Sequence, residues 1–275
     1  MTGDTLNLPR HAAGLLDGVL TETSPVSGGD LAEVWAIGLQ DGRRAIVKTG
    51  PLPAIEADML RALRQAGAPA PNVLAVDDRT LVLERLPGGG TLPAAWSDLG
   101  SVLRRLHDAP VAAAAGYGWA TDFAFGTLPI VNGWHADWAR FWRDHRLLTH
   151  VPHIPTTLAH RLEALARHLP DRLPAHPRPV LLHGDLWSGN VLVSQKRISG
   201  LIDPACCIGA AEADFAMLTL FARPDAAFWS AYGAFDAGWR ERIAIYRLWP
   251  ALVHLRLFGG SYHGMVSSLL DAIPL

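Results

Sequence analysis

The sequence predicts an α+β chain of two unequal parts, a small β-rich N-terminal lobe followed by a larger, mainly helical lobe. Three observations predict it. Strand-type runs crowd the first third, at residues 32–39, 44–48, 73–76 and 80–84. A Pro87-Gly88-Gly89-Gly90 break follows, a composition suited to a hinge. Beyond it the apolar spacing is mostly helical. The expected division is residues 1–86 and 87–275.

Leu15, Leu16, Val19 and Leu20 recur at helical spacing, which predicts a helix over residues 6–23. The stretch Ser24-Pro25-Val26-Ser27-Gly28-Gly29-Asp30 reads as a turn. Asp41-Gly42 between the first two strand runs is a hairpin signal. Residues 54–66 alternate as an amphipathic helix, stopped by Gly67 and Pro69. After the hinge, helices are expected at 99–107, 135–148 and 156–168, then a proline-rich approach over 170–179. A short apolar strand at 180–182 precedes a hairpin of 191–193 with 200–202. Buried-looking helices at 211–221 and 240–258 complete the chain, which shows no internal repeat.

Composition narrows the function classes. The chain has 275 residues, 49% of them hydrophobic, enough for a sizeable core and too many for disorder. The net charge is −2 and no basic run stands out, so neither nucleic acid nor a membrane surface is an expected partner. No basic head leads an apolar core at the N-terminus, and no apolar run reaches the roughly 18 residues that span a bilayer. The two cysteines, Cys206 and Cys207, are adjacent and form no disulfide framework, which suits a reducing, cytoplasmic setting. Basic residues are almost all arginine, and only Lys48 and Lys196 are lysines.

The chemistry-bearing segment is His183 to Asn190, HGDLWSGN. Asp185 and Asn190 have the D-x-x-x-x-N spacing of a kinase catalytic loop, in which the aspartate takes the acceptor's proton and the asparagine binds metal. Asp203 follows a short apolar strand and is placed to chelate Mg²⁺ with Asn190. Lys48 ends the run Ala45-Ile46-Val47, like the phosphate-binding lysine of a V-A-I-K strand, and Glu56 on the next helix is its expected ion-pair partner. Gly28 and Gly29 lie ahead of that hairpin, where backbone amides can approach phosphates. At the hinge, Glu84 is a candidate flank for adenine, with the main chain of Arg85 and Leu86 better placed to bond the base. These parts occur in the chain order of protein-kinase-like enzymes, and together they predict phosphoryl transfer from ATP with Mg²⁺.

HGDLWSGN, then Leu201-Ile202-Asp203-Pro204-Ala205 and Glu212-Ala213-Asp214-Phe215-Ala216-Met217, resemble the fructosamine kinase (ketosamine 3-kinase) family, within the aminoglycoside phosphotransferase-like superfamily. The likeness extends to Ser27-Gly28-Gly29, to Gly126, Pro129 and Asn132, to the segment 137–142 with Arg146-Leu147, and to 257–262. It implies phosphorylation of a ketosamine or other glycated amine at the third sugar carbon. It also implies Asp185 as base, Asn190 and Asp203 as Mg²⁺ ligands, Lys48 with Glu56 on phosphates, and Trp187 lining the acceptor pocket. The sequence departs from the family at Asp30 after the glycine pair, at residues 206–211, which lack a charged residue before Glu212, and at Phe123-Ala124 after Asp122. The last departure points to an altered acceptor pocket.

Other residues read as structural. His183 is expected to hydrogen-bond beside the loop rather than act as acid or base. Glu212 and Asp214 are expected to anchor a helix start or the loop, by hydrogen bonds near a helix N-terminus. Trp138, Trp142 and Trp249 sit at core spacing, and the twelve histidines lack zinc-ligand spacing. The residues leave two alternatives open: a kinase of another small acceptor (an aminoglycoside, free sugar or amino alcohol), or a non-catalytic nucleotide-binding protein. Oligomeric state is not legible, and a monomer is compatible with the sequence.

Overall fold

A computed structural model describes residues 7–26, 32–111 and 116–274. Helix α1 (Asn7–Leu15) leads into strands β1 (Leu20–Pro25), β2 (Val34–Leu39) and β3 (Arg44–Thr49), helix α2 (Pro53–Gln65), and strands β4 (Val73–Val76) and β5 (Thr80–Glu84). The five strands form one antiparallel sheet in the order β1-β2-β3-β5-β4. The pleat decides which side each residue serves. Ala45, Val47 and Val82 bury against Ala12 and Ala13 of α1. Ile46 opposite Leu83 and Lys48 opposite Leu81 point the other way, toward α2. The alternation therefore aims a lone ammonium at the same side as the main core.

Helix α2 begins with Pro53 in its first turn, where a missing N–H costs nothing. Its inward stripe is Glu56, Met59, Leu60 and Leu63, so the carboxylate shares an apolar face. The helix ends at Gly67 with φ +80° and a bond from Ala68 N–H back to Leu63 O (3.0 Å), the glycine stop anticipated from sequence. The Asp41-Gly42 hairpin also forms, closed by Leu39 N–H to Arg43 O at 2.9 Å.

Residues 85–91 hold no regular structure, yet they are tied down. Gly90 N–H donates to Val193 O (2.8 Å), and Ser199 Oγ donates to Pro87 O (2.6 Å). The remainder is largely helical: α3 (Trp96–Asp108), the small strands β6 (Phe123–Phe125) and β7 (Leu128–Ile130), α4 (Trp138–Phe141) and α5 (Thr156–Arg172). Strand β8 (Val180–Leu182), the hairpin β9 (Val191–Ser194) with β10 (Arg197–Leu201), and β11 (Cys207–Gly209) follow. Helices α6 (Glu212–Phe221), α7 (Ala226–Tyr232), α8 (Trp239–Tyr246), α9 (Leu248–Phe258) and α10 (His263–Asp271) close the chain. The fold is thus the expected α+β, two-lobed, kinase-like arrangement. Among the described residues no helix is long and apolar enough to cross a membrane.

Three of the elements expected from sequence form differently, and β6, β7, β11, α7 and α10 were not anticipated. The first helix stops at Leu15, where Gly18 N–H turns back to Ala13 O (2.9 Å), and residues 20–25 become an edge strand. Its β-branched Thr21 and Thr23 favour a strand, and Val19, 63% exposed, never joined an apolar stripe. The helix expected over 240–258 breaks at Arg247. Pro250 has no N–H to offer the Tyr246 carbonyl, so continuous helix is lost there. The helix expected over 135–148 starts at Trp138, capped by Asp137, which accepts from Arg140 N–H (2.9 Å). It then widens to a π-helix over Trp142–Leu147 and tightens to a 3₁₀ turn over Leu148–His153. That irregular stretch turns Trp142, Arg146 and His150 inward together. Among the described residues, all four buried side-chain nitrogens without a partner lie in it: Trp142 Nε1, His145 Nδ1, Arg146 Nε and His150 Nδ1.

Burial, reinforced by the charges of Arg256, His153 and Arg146, pushes the His150 imidazole down to about 3. An unfolded imidazole titrates near ~6.5. Below that value the unfolded chain takes up a proton that the folded chain refuses. Stability is therefore full above ~6.5 and falls as the pH drops. Urea unfolding of His150→Gln should lose less stability than the wild type between about pH 7 and pH 5, the difference being about 2 kcal/mol. Parallel pH profiles would rule out a neutral, buried His150.

Candidate active site

Strands β8 and β11 pair antiparallel, with Leu182 opposite Cys207. The loop leaving β8 and the loop entering β11 therefore emerge side by side. Ala205 N–H donates to His183 O at 2.9 Å. Gly184 has φ +83°, and a Cβ there would lie 1.9 Å from Ala205 O. The glycine of His-Gly-Asp is thus required twice, by conformation and by contact. Between the two loops stand Asp185, Asn190 and Asp203.

Asn190 ends a single 3₁₀ turn, Ser188–Asn190. Its amide nitrogen donates to Asp185 O (2.8 Å) and Asp185 Oδ2 (2.9 Å), and reaches Asp203 O at 3.5 Å. Burial pushes the Asp185 carboxyl up to about 7, the Asp203 charge adds to this, and the Asn190 bond partly offsets it. Asp203 adopts φ +51°, a left-handed conformation that costs a non-glycine residue energy. That backbone turns its carboxylate across to the sheet, where Lys48 Nζ donates to Asp203 Oδ1 at 2.6 Å. The same ammonium donates to Glu56 Oε1 at 2.9 Å. Burial alone would depress the Lys48 ammonium, but the Glu56 and Asp203 charges outweigh it and hold it above its usual range. Burial raises the Glu56 carboxyl, and Lys48 opposes that shift.

A layer of buried groups holds the loop. Asp214, at the start of α6, accepts from His183 N–H (2.9 Å) and Gly184 N–H (2.8 Å). His107 Nε2 lies 3.1 Å from the same carboxylate, and His107 Nδ1 lies 3.0 Å from the Tyr232 hydroxyl. Burial works against the Asp214 charge, yet the His107 bond prevails and keeps the carboxyl below its usual range. His183 is fully buried, receives Asp185 N–H on Nδ1 (3.3 Å) and bonds Ile202 O through Nε2 (3.0 Å). Burial lowers its imidazole. A neutral ring with Nε2–H donating satisfies both contacts, the structural use anticipated for it. The role of His107 was missed from sequence. Its signal was its place on the apolar stripe of α3, after Leu99, Val102, Leu103 and Leu106.

Of the other sequence candidates, Trp187 is half-buried and its indole lies across Gly189, where a Cβ would fall 2.3 Å from the ring. Trp-Ser-Gly is therefore one packed unit. Glu84 is committed elsewhere, since its Oε2 accepts from Asn72 Nδ2 (2.7 Å) and Asn72 N–H (3.1 Å). Leu86 packs on Gly200, and among the described residues no hydrogen bond engages its main chain. Gly28, Gly29 and Asp30 lie outside the described residues. Asn132 and Arg146 come together, with Arg146 Nη2 donating to Asn132 Oδ1 at 2.6 Å.

The donor chemistry fits Mg²⁺. Asn190 spends its NH₂ on Asp185, which leaves its amide oxygen without a bond among the described residues. That oxygen and the Asp203 carboxylate are hard donors on adjoining loops.

The sequence profile of the fructosamine kinase family matches residues 15–274. The chain belongs to the fructosamine kinase family. It is accordingly an ATP-dependent phosphotransferase. A probable ketoamine kinase of Lactiplantibacillus plantarum is 32% identical over 269 residues, 91% of this chain and 94% of that protein. Another from Synechocystis is 34% identical over 203 residues, 69% of this chain and 66% of that protein. A provisional fructosamine-3-kinase from Thermobifida fusca superposes with a TM-score of 0.87 at 28% identity, covering 97% of this chain and 98% of the other. An aminoglycoside phosphotransferase solved with ADP and hygromycin B shares the fold, with a TM-score of 0.71 at 18% identity over 97% of both chains.

Gly42 and Gly184 have nearly the same φ, +85° and +83°, but only Gly184 faces a backbone oxygen. Gly42→Ala should cost about 1–2 kcal/mol in urea unfolding, the left-handed penalty alone. Gly184→Ala should cost more and also suppress turnover, because the two loops must part. Equal losses in the two variants would contradict the close approach.

Proposed function

We propose that this chain phosphorylates the third-carbon hydroxyl of ketosamines, sugars joined to an amine through a ketose carbon, with Mg²⁺ and ATP. The observation that carries the reading is the convergence of Lys48, Asp203, Asn190 and Asp185 from two lobes into one hydrogen-bonded centre. The acceptor class is supported by membership of the fructosamine kinase family and by relatives named as ketoamine kinases. The division at residues 86 and 87 is taken as the boundary between the nucleotide lobe and the acceptor lobe.

Asp185 takes the proton of the attacking hydroxyl as that oxygen bonds the γ-phosphorus and ADP leaves. A carboxyl pushed up to about 7 is a competent base near neutrality. Asn190 fixes the rotamer of that carboxylate through its 2.9 Å bond. Lys48, braced by Glu56, presents an ammonium to the phosphate oxygens. Asn190 and Asp203 are the residues to hold Mg²⁺, which supplies charge neutralisation at those oxygens. The free main chain of Leu86 is the proposed adenine contact, with Glu84 beside it held by Asn72. Gly28 and Gly29 are proposed to cover the phosphates. Trp187 offers its exposed ring portion to the sugar or its amine substituent.

The test is an acceptor panel with Mg-ATP, comprising fructosyl-lysine, ribulosyl-lysine, an aminoglycoside and free fructose, with the phosphorylated position read by phosphorus NMR. The ketosamines should be phosphorylated at carbon three. In the same assay Asp185→Asn should keep nucleotide affinity and lose at least ~100-fold in turnover. Transfer only to the aminoglycoside or free sugar would overturn the acceptor, and near-normal turnover of the variant would overturn the base.

A further inference from the structure

Away from the phosphotransfer centre, a cavity of about 310 Å³ draws its charged lining from three arginines and one aspartate. Arg64 reaches it from the last turn of α2. Asp98, Val102 and Arg105 line it from one face of α3, at the helical spacing of four and then three residues. Arg197 and Ile198 come from the start of β10.

The charges do not balance. Asp98 is the single carboxylate in the lining, and it is already engaged. Its Oδ2 accepts from Ile198 N–H (2.7 Å), and its Oδ1 lies 3.1 Å from Arg197 Nε. Arg64 donates one Nη1 bond to Ala70 O (2.6 Å) and makes no ion pair among the described residues. The Arg105 guanidinium makes no hydrogen bond or ion pair among the described residues; its main-chain carbonyl accepts from Ala109 N–H (3.1 Å). Two guanidinium charges are left without a counter-charge in the lining. A concave site with unbalanced charge focuses its field on an ion of opposite sign. The planar donor fork of arginine matches phosphate oxygens in bidentate fashion.

The position is also informative. The loop after α2 is hooked to β10 by Leu201 N–H to Pro69 O at 2.7 Å. Helix α2 carries Glu56, and β10 runs on to Asp203. An occupant touching Arg64, Arg105 and Arg197 would tie together the helix and the strand that deliver the two carboxylates of Lys48.

We propose that this cavity is a second anion site, one that binds a phosphate group either free or as a small phosphomonoester. It is separate from the nucleotide site and does not depend on which acceptor the kinase uses. The test is calorimetric titration of the full chain, its nucleotide site filled with ADP, at fixed ionic strength. Inorganic phosphate and glycerol 3-phosphate are the two probes, and they distinguish the free ion from the ester. The wild type should show saturable one-site binding of at least one probe. The double variant Arg105→Ala/Arg197→Ala should bind it at least about tenfold more weakly, as the loss of charged hydrogen bonds implies, with ADP affinity unchanged. No saturable binding of either probe, or equal binding by the double variant, would overturn the proposal. Should the double variant fail to fold, Arg197→Gln alone serves, because that side chain is 76% exposed. Weakened binding by it supports the site, and unchanged binding refutes it.

Discussion

The ammonium of Lys48 rests between two carboxylates from different parts of the chain, Glu56 at 2.9 Å and Asp203 at 2.6 Å. Most of the site's architecture can be traced to that arrangement. A lysine so deeply buried loses its hydration, and desolvation alone would favour the neutral amine. Two carboxylates reverse the balance, so a full positive charge stands at the junction of sheet, helix and catalytic loop. Lys48 and Glu56 are both buried, and breaking such a pair by removing one partner typically costs about 3–5 kcal/mol, whereas Asp203 keeps a partly exposed carboxylate. Strand, helix and loop are thereby made to meet at one point. The pleat of β3, the stripe of α2 and the left-handed backbone of Asp203 are the three local means by which the sequence satisfies that requirement.

The second constraint is backbone proximity. Gly184 lets the loop after β8 touch the loop before β11, and Asp214 then gathers the amides of His183 and Gly184. His107 and Tyr232 complete this buried chain of hydrogen bonds. Asp185 inherits its position from groups that never meet a substrate. Its raised pKa follows from the same packing, since burial and the nearby Asp203 charge both disfavour ionisation.

What the sequence made legible follows the range of the signal. Lys48, Asp185, Asn190 and Asp203 stood out because each pattern is local: a strand ending in lysine, a five-residue loop spacing, a carboxylate after a short strand. The body of α2 was readable from its apolar stripe, and its end from Gly67 and Pro69. The hairpin of β9 and β10 was found, but its turn was not. Gln195 and Lys196 both take positive φ, +49° and +63°, in a two-residue turn without the glycine or asparagine that usually marks one. The π-helix at Trp142–Leu147 was invisible because its cause is tertiary: Arg146 must reach Val131 O and Asn132 while lying against Phe141 and Trp249. Glu84 looked available at the hinge only because Asn72, twelve residues earlier, gave no sign of claiming it. The arginine cavity drew no notice for a related reason, since its three side chains are distant in sequence and arginine is common throughout the chain.

If Lys48 and Glu56 act as one phosphate-holding unit, their contributions to nucleotide binding cannot be independent. The direct measurement is a double-mutant cycle of Lys48→Met and Glu56→Gln, read as calorimetric affinity for a non-hydrolysable ATP analogue with Mg²⁺. Once Lys48 is gone, Glu56 has nothing to brace, so the double variant should bind no more weakly than Lys48→Met alone, giving a coupling above about 1 kcal/mol. Losses that add to within about 0.5 kcal/mol would contradict the account, because they would mean that the two residues serve the nucleotide separately.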